Sequence, residues 1–496
     1  MNTFSKDMVE TFLTADTAQR LQMATEATSE DALRSLLGEA AFCELRTLAE
    51  SAPAAHLAPL GGDIVFVPGV MGSVLASQGR GGVWWIDFRN LSRIDDLRLS
   101  EDGLRDKDPG FEIEPVVVDH TYTGFFAAVT RQQGKAFTCR GFHYDWRKPL
   151  EASSERLRDT VLAVRSASPS QKVHLVSHSM GGLLVRTTLM RYPELWRHLG
   201  KVVFIGTPHY GSPAIAGYLK NHLWGFELLA VIGLFLSRES FRSMWGVLSL
   251  LPAPAGVYPG TRQNEATLIP PPIHAGYEHP CVNFNLYSAP EWKLDLSGKQ
   301  EHQLETVLSA AAVHHRELRQ WHLSLDRSQL DRMAVIAGVG YQTLFRIAYR
   351  RKFGFLWEQM DRVTKRIPGD KNREGDGRVP LASVELEAVG ETRYVHAEHG
   401  TLPTVPAVYE DVLRFLSDEP MLLSRTAKGA LQGHLADGKL ASETPALAGI
   451  HPKKAGARGD DPGYLNFAPP AAQTISLTKA AMEHGRIPQI TGLHIL

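Results

Sequence analysis

Short runs of branched apolar residues alternate with amphipathic segments through the middle of the chain. The runs are DIVFV (63–67), KVHLVS (172–177), KVVFIGT (201–207) and MAVIAGVG (333–340). Runs of this kind, bounded by turn residues, are typical of buried parallel strands. The segments between them, such as 150–167 and 183–195, have the apolar spacing of helices. The alternation of strand and helix predicts a mostly parallel α/β sheet with helices on its faces.

The same pattern divides the chain into three parts. Residues 1–60 have helical spacing and predict a helical N-terminal extension, with a separate partner-binding module as the alternative. Residues 61–420 contain the strand–helix alternation and form the predicted catalytic domain, closed by a helix at 408–416. Residues 421–496 lose the pattern and are rich in Gly, Ala, Pro and Lys, which predicts a C-terminal tail that is partly disordered.

Two insertions interrupt the alternation within the predicted domain. Strand signals are few in residues 208–330, which we expect to form a cap insertion, and residues 76–135 are expected to form another. The second insertion contains the longest apolar stretch of the chain, the 14 residues Leu223 to Leu236. About 20 apolar residues are needed to span a bilayer, so the stretch predicts either a buried or an interfacial helix and no transmembrane segment.

Composition narrows the classes of protein that remain. The 53 Lys and Arg residues balance 54 Asp and Glu residues, so the net charge of −1 gives no electrostatic reason to expect nucleic acid as a partner. Hydrophobic residues make up 43% of the 496-residue chain, which excludes whole-chain disorder. The three cysteines form no C-x-x-C pair and predict thiols in a reducing compartment, with one disulfide and one free thiol as the alternative. The N-terminus has no Sec signal pattern, so a cytoplasmic location is expected, with non-Sec export left open.

The strongest local signal for chemistry is the segment SHSMGG (177–182), which lies between a strand pattern and a helix pattern. This is the small-x-Ser-x-Gly arrangement of a nucleophile elbow, with Ser177 in place of the usual first glycine. The nucleophile of such an elbow sits on a strained strand-to-helix turn, and its neighbours two positions away must be small. The segment therefore predicts Ser179 as a catalytic nucleophile.

A serine nucleophile needs a base and an acid that orients the base. In α/β-hydrolases these follow the serine in the order acid, then histidine. The acid candidate is Asp376, on a tight Gly-Asp-Gly turn before an expected strand, and the base candidate is His399, which is followed by Gly400 and an expected helix. Asp370 and His396 are the nearby alternatives.

The reaction also requires two donors that stabilise an oxyanion. One is expected to be the backbone N–H of Met180, directly after the nucleophile. The second is expected in the loop after an early strand, and VFVPGVMGSVL (65–75) supplies such a loop. We predict the backbone N–H of Val70 as the second donor.

Signals for metal or nucleotide cofactors are weak. The segment starting at Asp370 resembles the start of an EF-hand loop, but Leu381 stands where the bidentate Glu is required. Gly338-Val339-Gly340 follows a strand pattern, but Thr343 stands where a dinucleotide-binding loop needs its third glycine. The chain has no H-E-x-x-H segment. We therefore predict no cofactor and no metal site.

Several segments in order along the chain resemble the lecithin:cholesterol acyltransferase family, which includes lysosomal phospholipase A2, phospholipid:diacylglycerol acyltransferases and bacterial lipase-like proteins. The matching segments are VPGVMGSVL (67–75), VWWIDFRNL (83–91), FHYDWRKPL (142–150), SHSMGG (177–182), FIGTPHYGSP (204–213), SMWGVLSLLP (243–252), EGDGRVPLAS (374–383) and EHGTLP (398–403). The resemblance implies an α/β-hydrolase fold, a doubly wound sheet with helical caps, and a Ser-Asp-His triad formed by Ser179, Asp376 and His399.

The resemblance also implies the chemistry. The expected activity is that of a serine ester hydrolase or O-acyltransferase acting on lipid esters, with water or an alcohol as the acyl acceptor. Trp84 and Trp85 align with the family's cap segment near its acyl-binding site, and two interpretations stay open for them, contact with lipid or packing. Peripheral membrane contact through the cap is a further open interpretation. Two other functions remain as alternatives, a catalytically silent binding module with this fold and an exported lipase effector toxin.

Overall fold

The computed structural model describes most of the chain before residue 437. The residues that it describes are 6–50, 62–85, 87–131, 137–168, 172–219, 236–259, 281–282, 285–292, 294, 296–343, 346–349, 360–363 and 374–436.

The strands in the described part of the chain are β1 Gly62–Val67, β2 Ser73–Ser77, β3 Val83–Trp85, β4 Ile113–Val118, β5 Phe137–Gly141, β6 Val173–His178, β7 Leu199–Ile205, β8 Cys281–Val282, β9 Met333–Val339, β10 Tyr341–Gln342, β11 Arg346–Tyr349, β12 Met360–Val363, β13 Glu374–Gly375 and β14 Glu391–His396. Six of them form a parallel sheet at the centre of the protein, in the order β14-β9-β7-β6-β1-β5. The remaining described strands pair in three small sheets, in the orders β3-β2-β4, β12-β11-β8 and β10-β13.

Helices connect the strands and cover the sheet. The helices are α1 Lys6–Thr14, α2 Thr17–Thr25, α3 Ala27–Leu37, α4 Glu39–Glu50, α5 Thr123–Arg131, α6 Leu150–Ala167, α7 Met180–Arg191, α8 Pro213–Leu219, α9 Arg238–Ser243, α10 Trp245–Leu248, α11 Gly298–Ser324, α12 Arg327–Leu330, α13 Leu381–Val384, α14 Pro406–Leu416 and α15 Ala427–Ala436. Among the described residues, no helix is both long enough and apolar enough to cross a membrane.

Alternate residues of the central strands contribute to two separate cores. In β1, Val65 and Val67 join the core that α6, α7 and α11 cover, whereas Ile64 and Phe66 join the core that α5 and α14 cover. All four side chains are fully buried. Since successive strand residues point to opposite faces, a continuous apolar run is what a sheet covered on both sides requires.

The predicted fold class is confirmed. The four apolar runs form β1, β6, β7 and β9, and the parallel sheet with helices on both faces is that of an α/β-hydrolase. The segment 150–167 forms α6, and the expected closing helix is α14. The carboxyl ends of neighbouring parallel strands meet at one edge of the sheet, which brings the loops after β1, β6 and β14 together.

Four helices, α1 to α4, precede the sheet. The helical spacing predicted within residues 1–60 is interrupted at Gly38, whose φ of 81° ends α3 in a conformation that favours glycine. Val9 and Leu13 of α1 pack against Val74 and Val83 of the β3-β2-β4 sheet. Helix α1 therefore docks on the β3-β2-β4 sheet, most of which lies in the first cap insertion.

Buried arginines tie the N-terminal helices to β4 and stabilise the loop after β5. The guanidinium of Arg20 is buried and donates to the carbonyl oxygens of Phe12, Leu13 and Val118. Arg147, in the loop after β5, is fully buried, and its Nη2 atom lies 2.7 Å from Oδ2 of Asp145. Breaking a buried pair of this kind costs about 3–5 kcal/mol, since the remaining charge stays uncompensated.

Some predictions fall outside the described residues. The apolar stretch 223–236 lies outside them except for its last residue, and residues 437–496 of the predicted tail lie outside them entirely. Within 421–436, α15 is helical and packs against the core through Ala427, Ala430 and Leu431. The division into extension, domain and tail stays a prediction.

Candidate active site

The predicted nucleophile lies on a strained turn between β6 and α7. Ser179 has φ 50° and ψ −128°, a left-handed conformation that is uncommon for a residue other than glycine. Helix α7 follows at once, and it lies so close to β1 that a Cβ atom at Gly181 would be 2.3 Å from the Val67 carbonyl oxygen. A Cβ atom at Gly182 would be 2.1 Å from the hydroxyl of Thr207. The two glycines therefore allow the helix to start where the turn needs it.

The three residues predicted as a triad form one hydrogen-bonded chain. The Oγ of Ser179 lies 2.9 Å from Nε2 of His399. Nδ1 of His399 lies 2.7 Å from Oδ2 of Asp376. A carboxylate only accepts hydrogen bonds, so Nδ1 carries the proton and Nε2 of the neutral ring is free to accept from the serine. All three side chains are buried.

Backbone donors fix the carboxylate of Asp376. Its Oδ1 accepts from the N–H groups of Arg378 and Val379 at 3.0 and 2.8 Å, which leaves Oδ2 for His399. The next residue, Gly377, has φ 93° and donates its N–H to the Thr343 hydroxyl at 2.9 Å. The Gly-Asp-Gly sequence thus forms the tight turn that was expected.

One local prediction beside this turn is wrong. The strand expected after Asp376 does not form, and Leu381–Val384 is the helix α13. Pro380 is the N-cap of this helix, and all four residues of α13 are buried. Tertiary packing has overridden the strand propensity of a short apolar run.

The two alternative residues have different outcomes. His396 ends β14, and its ring lies 5.1 Å from the ring of Tyr341, centroid to centroid. It is His399, and not His396, that lies beside Ser179. Asp370 lies outside the described residues.

The loop of residues 68–72, after β1, covers the nucleophile. A Cβ atom at Gly69 would be 2.9 Å from Cβ of Ser179, so the loop makes a close approach that glycine allows. Four side-chain or backbone groups hold the loop by hydrogen bonds. These are Tyr144 to the Pro68 carbonyl (3.1 Å), Tyr122 to the Gly69 N–H (3.1 Å), Trp85 to the Met71 carbonyl (3.0 Å) and the Asp119 N–H to the Gly72 carbonyl (2.9 Å).

The two predicted oxyanion donors flank this close approach. Met180 begins α7, and Val70 is next to Gly69 in the loop; both residues are buried. Within the described part of the chain, neither backbone N–H donates a hydrogen bond. A helix begins with N–H groups that have no intrahelical partner, so the Met180 N–H is available to an acceptor.

The tryptophan pair is packed inside the protein. Trp84 is 4% exposed and Trp85 1%. The Trp84 ring lies 5.1 Å from that of Phe111, and the Trp85 ring 5.0 Å from that of Trp146. Trp85 also holds the 68–72 loop through the Met71 carbonyl. A substrate-binding role for the pair stays a prediction.

Two residues near the nucleophile were not predicted from the sequence. The hydroxyl of Tyr122 and the imidazole of His178 are hydrogen-bonded to each other beside the 68–72 loop. His178 lies inside the SHSMGG segment and so had a positional signal, whereas Tyr122 had none, because it precedes α5 in a cap insertion. Within the described ranges, no group of three or more His, Cys, Asp or Glu side chains is arranged to hold a metal ion.

Comparison with known proteins finds one family. Residues 133–267 match the family model described as lecithin:cholesterol acyltransferase. The match includes Ser179 and ends before Asp376 and His399. Among curated proteins, "Lecithin-cholesterol acyltransferase-like 4" of Arabidopsis thaliana is 26% identical over 154 residues, which are 30% of this chain. The chain spans only 25% of that relative's length.

Solved structures with similar backbones include enzymes named lipases and esterases. "The crystal structure of Tle4-Tli4 complex" has a TM-score of 0.45 and 14% identity, and the alignment covers 73% of this chain and 97% of that chain. Bacillus licheniformis lipase BlEst2 in its mature form has a TM-score of 0.33 and 12% identity, with 74% and 96% covered. The match of residues 133–267 to the family model confirms the predicted resemblance to the lecithin:cholesterol acyltransferase family for that part of the chain.

Proposed function

We propose that the protein is a serine ester hydrolase or acyltransferase that acts on lipid esters through an acyl-enzyme intermediate. The observation that carries the proposal is the buried chain from Asp376 through His399 to Ser179, with the serine on a strained turn at a helix N-terminus. Nucleophile, base and orienting acid in hydrogen-bond contact are the arrangement that acyl transfer needs. The family match over residues 133–267 supports an ester-acting enzyme in general.

In the proposed mechanism, each group has a role in the first half of the reaction. Oγ of Ser179 attacks the ester carbonyl carbon while Nε2 of His399 takes the hydroxyl proton. Asp376 keeps the imidazole in the tautomer that accepts at Nε2 and stabilises the imidazolium that forms. The N–H groups of Val70 and Met180 donate to the oxyanion of the tetrahedral intermediate. As the intermediate collapses, the C–O bond to the alcohol breaks and His399 returns its proton to the leaving alkoxide oxygen.

The second half releases the acyl group from Ser179. His399 takes a proton from a water molecule or an acceptor alcohol, whose oxygen attacks the acyl-enzyme carbonyl carbon. The ester bond to Ser179 breaks, and His399 protonates the serine oxygen. Water gives a free acid, which is hydrolysis, and an alcohol gives a new ester, which is acyl transfer.

The proposed substrate class is a lipid ester, and the family resemblance is the support for it. With a net charge of −1, attraction of the protein to a lipid surface would have to come from apolar surface. Contact of the cap with a membrane is part of this proposal.

The experiment that tests the proposal compares Ser179→Ala with Ser177→Ala. Ser177 is buried two residues away and donates to the Val203 carbonyl, so its variant controls for loss of a buried hydroxyl in the same strand. We expect Ser179→Ala to lower kcat for a p-nitrophenyl ester on the order of 10⁶-fold and to abolish labelling by a fluorophosphonate probe. Ser177→Ala should keep both.

Equal ester hydrolysis by wild type and Ser179→Ala would overturn the proposal. To identify the substrate, the lipids of cells that express wild type are compared with those of cells that express Ser179→Ala. A lipid ester that is depleted, or an acylated alcohol that accumulates, only with wild type identifies the donor and the acceptor.

A further inference from the structure

A second buried hydrogen-bond chain runs beside the triad and ends on its histidine. The Gly69 N–H donates to the Tyr122 hydroxyl at 3.1 Å. The Tyr122 oxygen lies 2.8 Å from Nδ1 of His178, and Nε2 of His178 lies 3.0 Å from the backbone carbonyl oxygen of His399. Three separate segments, the 68–72 loop, the nucleophile turn and the base loop, are thus joined by two side chains.

The direction of every bond in this chain is determined by its ends. A carbonyl oxygen only accepts, so Nε2 of His178 carries the proton. Nδ1 of the neutral ring is then an acceptor, and the Tyr122 hydroxyl donates to it. The Tyr122 oxygen accepts from Gly69, whose N–H can only donate. No other arrangement of protons satisfies all three bonds with a neutral ring.

Burial keeps both side chains in these protonation states. Tyr122 is 4% exposed and His178 1%. Burial, with a smaller contribution from the neighbouring His399, lowers the pKa of His178 well below its ordinary value, and burial raises that of Tyr122. The ring therefore stays neutral and the hydroxyl stays protonated at ordinary pH.

The chain is also held in place by packing. The His178 ring lies 4.9 Å from the ring of His399, centroid to centroid, so it supports the base by its face as well as by its hydrogen bond. The Tyr122 ring packs on Phe66 of β1 at 5.1 Å. Asp119, three residues earlier, caps the turn of Tyr122 by accepting from the Thr121 N–H and donates its own N–H to the Gly72 carbonyl.

We propose that Tyr122 and His178 are positioning residues for the reaction at Ser179. Their bond to the Gly69 N–H fixes the loop that carries the Val70 N–H. Their bond to the His399 carbonyl fixes the loop that carries the base. The oxyanion donor and the base are thereby held at fixed positions relative to Ser179. This role rests on the proposed function. Because the Gly69 N–H already donates to the Tyr122 hydroxyl, Val70 is the loop residue whose N–H donates to the oxyanion.

A positioning role predicts a specific kinetic signature for Tyr122→Phe, which keeps the ring and removes the hydroxyl. Displacing one oxyanion donor by a fraction of an ångström should lower kcat about 10- to 100-fold, with KM within about twofold of wild type. The affinity for a trifluoromethyl ketone, which forms a tetrahedral adduct on Ser179, should fall by the same factor as kcat. Tyr394→Phe, which removes a hydroxyl bonded to Glu385 at 2.7 Å, is the matched control and should keep wild-type values.

Two variants of His178 separate the two halves of the chain. The amide of Asn reaches the position of Nδ1, so His178→Asn keeps an acceptor for Tyr122 and loses the bond to His399. The amide of Gln reaches the position of Nε2, so His178→Gln keeps a donor to His399 and loses the partner of Tyr122. We expect both to lower kcat, and Tyr122→Phe to add little to His178→Gln, since both remove the same bond.

Loss of a buried bond lowers the melting temperature whether or not it positions the site, so kcat and inhibitor affinity carry the test. Suppose that Tyr122→Phe has the kcat and inhibitor affinity of wild type in an assay in which Ser179→Ala is inactive. That result would overturn the positioning role and leave the proposed function intact. Equal hydrolysis by wild type and Ser179→Ala would overturn the proposed function, and the positioning role with it.

Discussion

Helix α7 carries two hydroxyl–imidazole hydrogen bonds. Their oxygen–nitrogen distances are nearly equal, but their surroundings differ. At its N-terminus the Ser179 hydroxyl lies 2.9 Å from Nε2 of His399. Two turns further on, the Thr187 hydroxyl lies 2.8 Å from Nε2 of His314, which belongs to α11. Both pairs are buried. Distance and burial alone therefore do not identify a nucleophile and its base.

The surroundings separate the two pairs. The Thr187 hydroxyl donates to the Leu183 carbonyl of its own helix at 2.8 Å, so its proton is already committed and its oxygen accepts from His314. Among the described residues, no carboxylate orients His314 from the far side of its ring as Asp376 orients His399. Thr187 lies in regular helix, whereas Ser179 lies on a strained turn facing the 68–72 loop. The comparison teaches that the orienting acid and the strained turn distinguish the Ser179 pair from the Thr187 pair.

The largest expected effect is on kcat, and it appears when glutamine replaces His399 but not when it replaces His314. Glutamine can donate where Nε2–H donates but cannot act as a general base. We expect His399→Gln to lower kcat on the order of 10⁶-fold, because the nucleophile loses its proton acceptor. We expect His314→Gln to leave kcat within about threefold of wild type. The measurement is ester hydrolysis by both variants, and a comparable loss in His314→Gln would remove the distinction drawn between the pairs.

The next effect concerns Asp376, the carboxylate that holds the far side of the His399 ring. Asp376→Asn keeps the size of the side chain and removes the charge that holds Nδ1–H of His399. We expect kcat to fall about 10⁴-fold, because the imidazole then adopts the wrong tautomer. Pre-steady-state kinetics with a p-nitrophenyl ester should show slower acylation of Ser179. A rate near that of wild type would mean that another acid, such as Asp370, orients the base.

The smallest expected effect is on stability and depends on pH. Burial, assisted by the nearby Arg186, lowers the pKa of His314 from 6.5 to about 4. Between these two values the unfolded chain binds a proton that the folded chain does not, so the free energy of unfolding falls as pH decreases from about 6.5 towards about 4. The slope from one such group is at most about 1.4 kcal/mol per pH unit.

Urea denaturation at pH 7, 6 and 5 measures this slope. His314→Gln removes one titrating group and should flatten the dependence, although it lowers stability at pH 7 if its amide fits less well. Thr187→Val, which removes the hydroxyl that accepts from His314, is a control that keeps the titrating ring. An unchanged slope in His314→Gln would show that His314 does not contribute to the acid sensitivity.

The sequence predicted the features that depend on local backbone chemistry. The strands β1, β6, β7 and β9 follow from continuous apolar runs, because a sheet covered on both faces needs them. The turn at Ser179 follows from small residues between a strand and a helix. The prediction of a strand after Asp376 was wrong, because a short apolar run has no periodicity that distinguishes a strand from a helix. The segment is buried as the helix α13.

The sequence by itself thus determined an α/β sheet, the strained position of Ser179 and two candidate partners further along the chain. Only the tertiary structure decided that His399, 220 residues away, and not His396 meets the serine. It also decided that Thr187 pairs with His314, whose ring no described carboxylate holds from its far side. It also decided that Tyr122 and His178 join three loops. Side-chain periodicity fixes which face a residue takes, but contacts between distant segments depend on how parallel strands align at a shared edge, and no local pattern encodes that alignment.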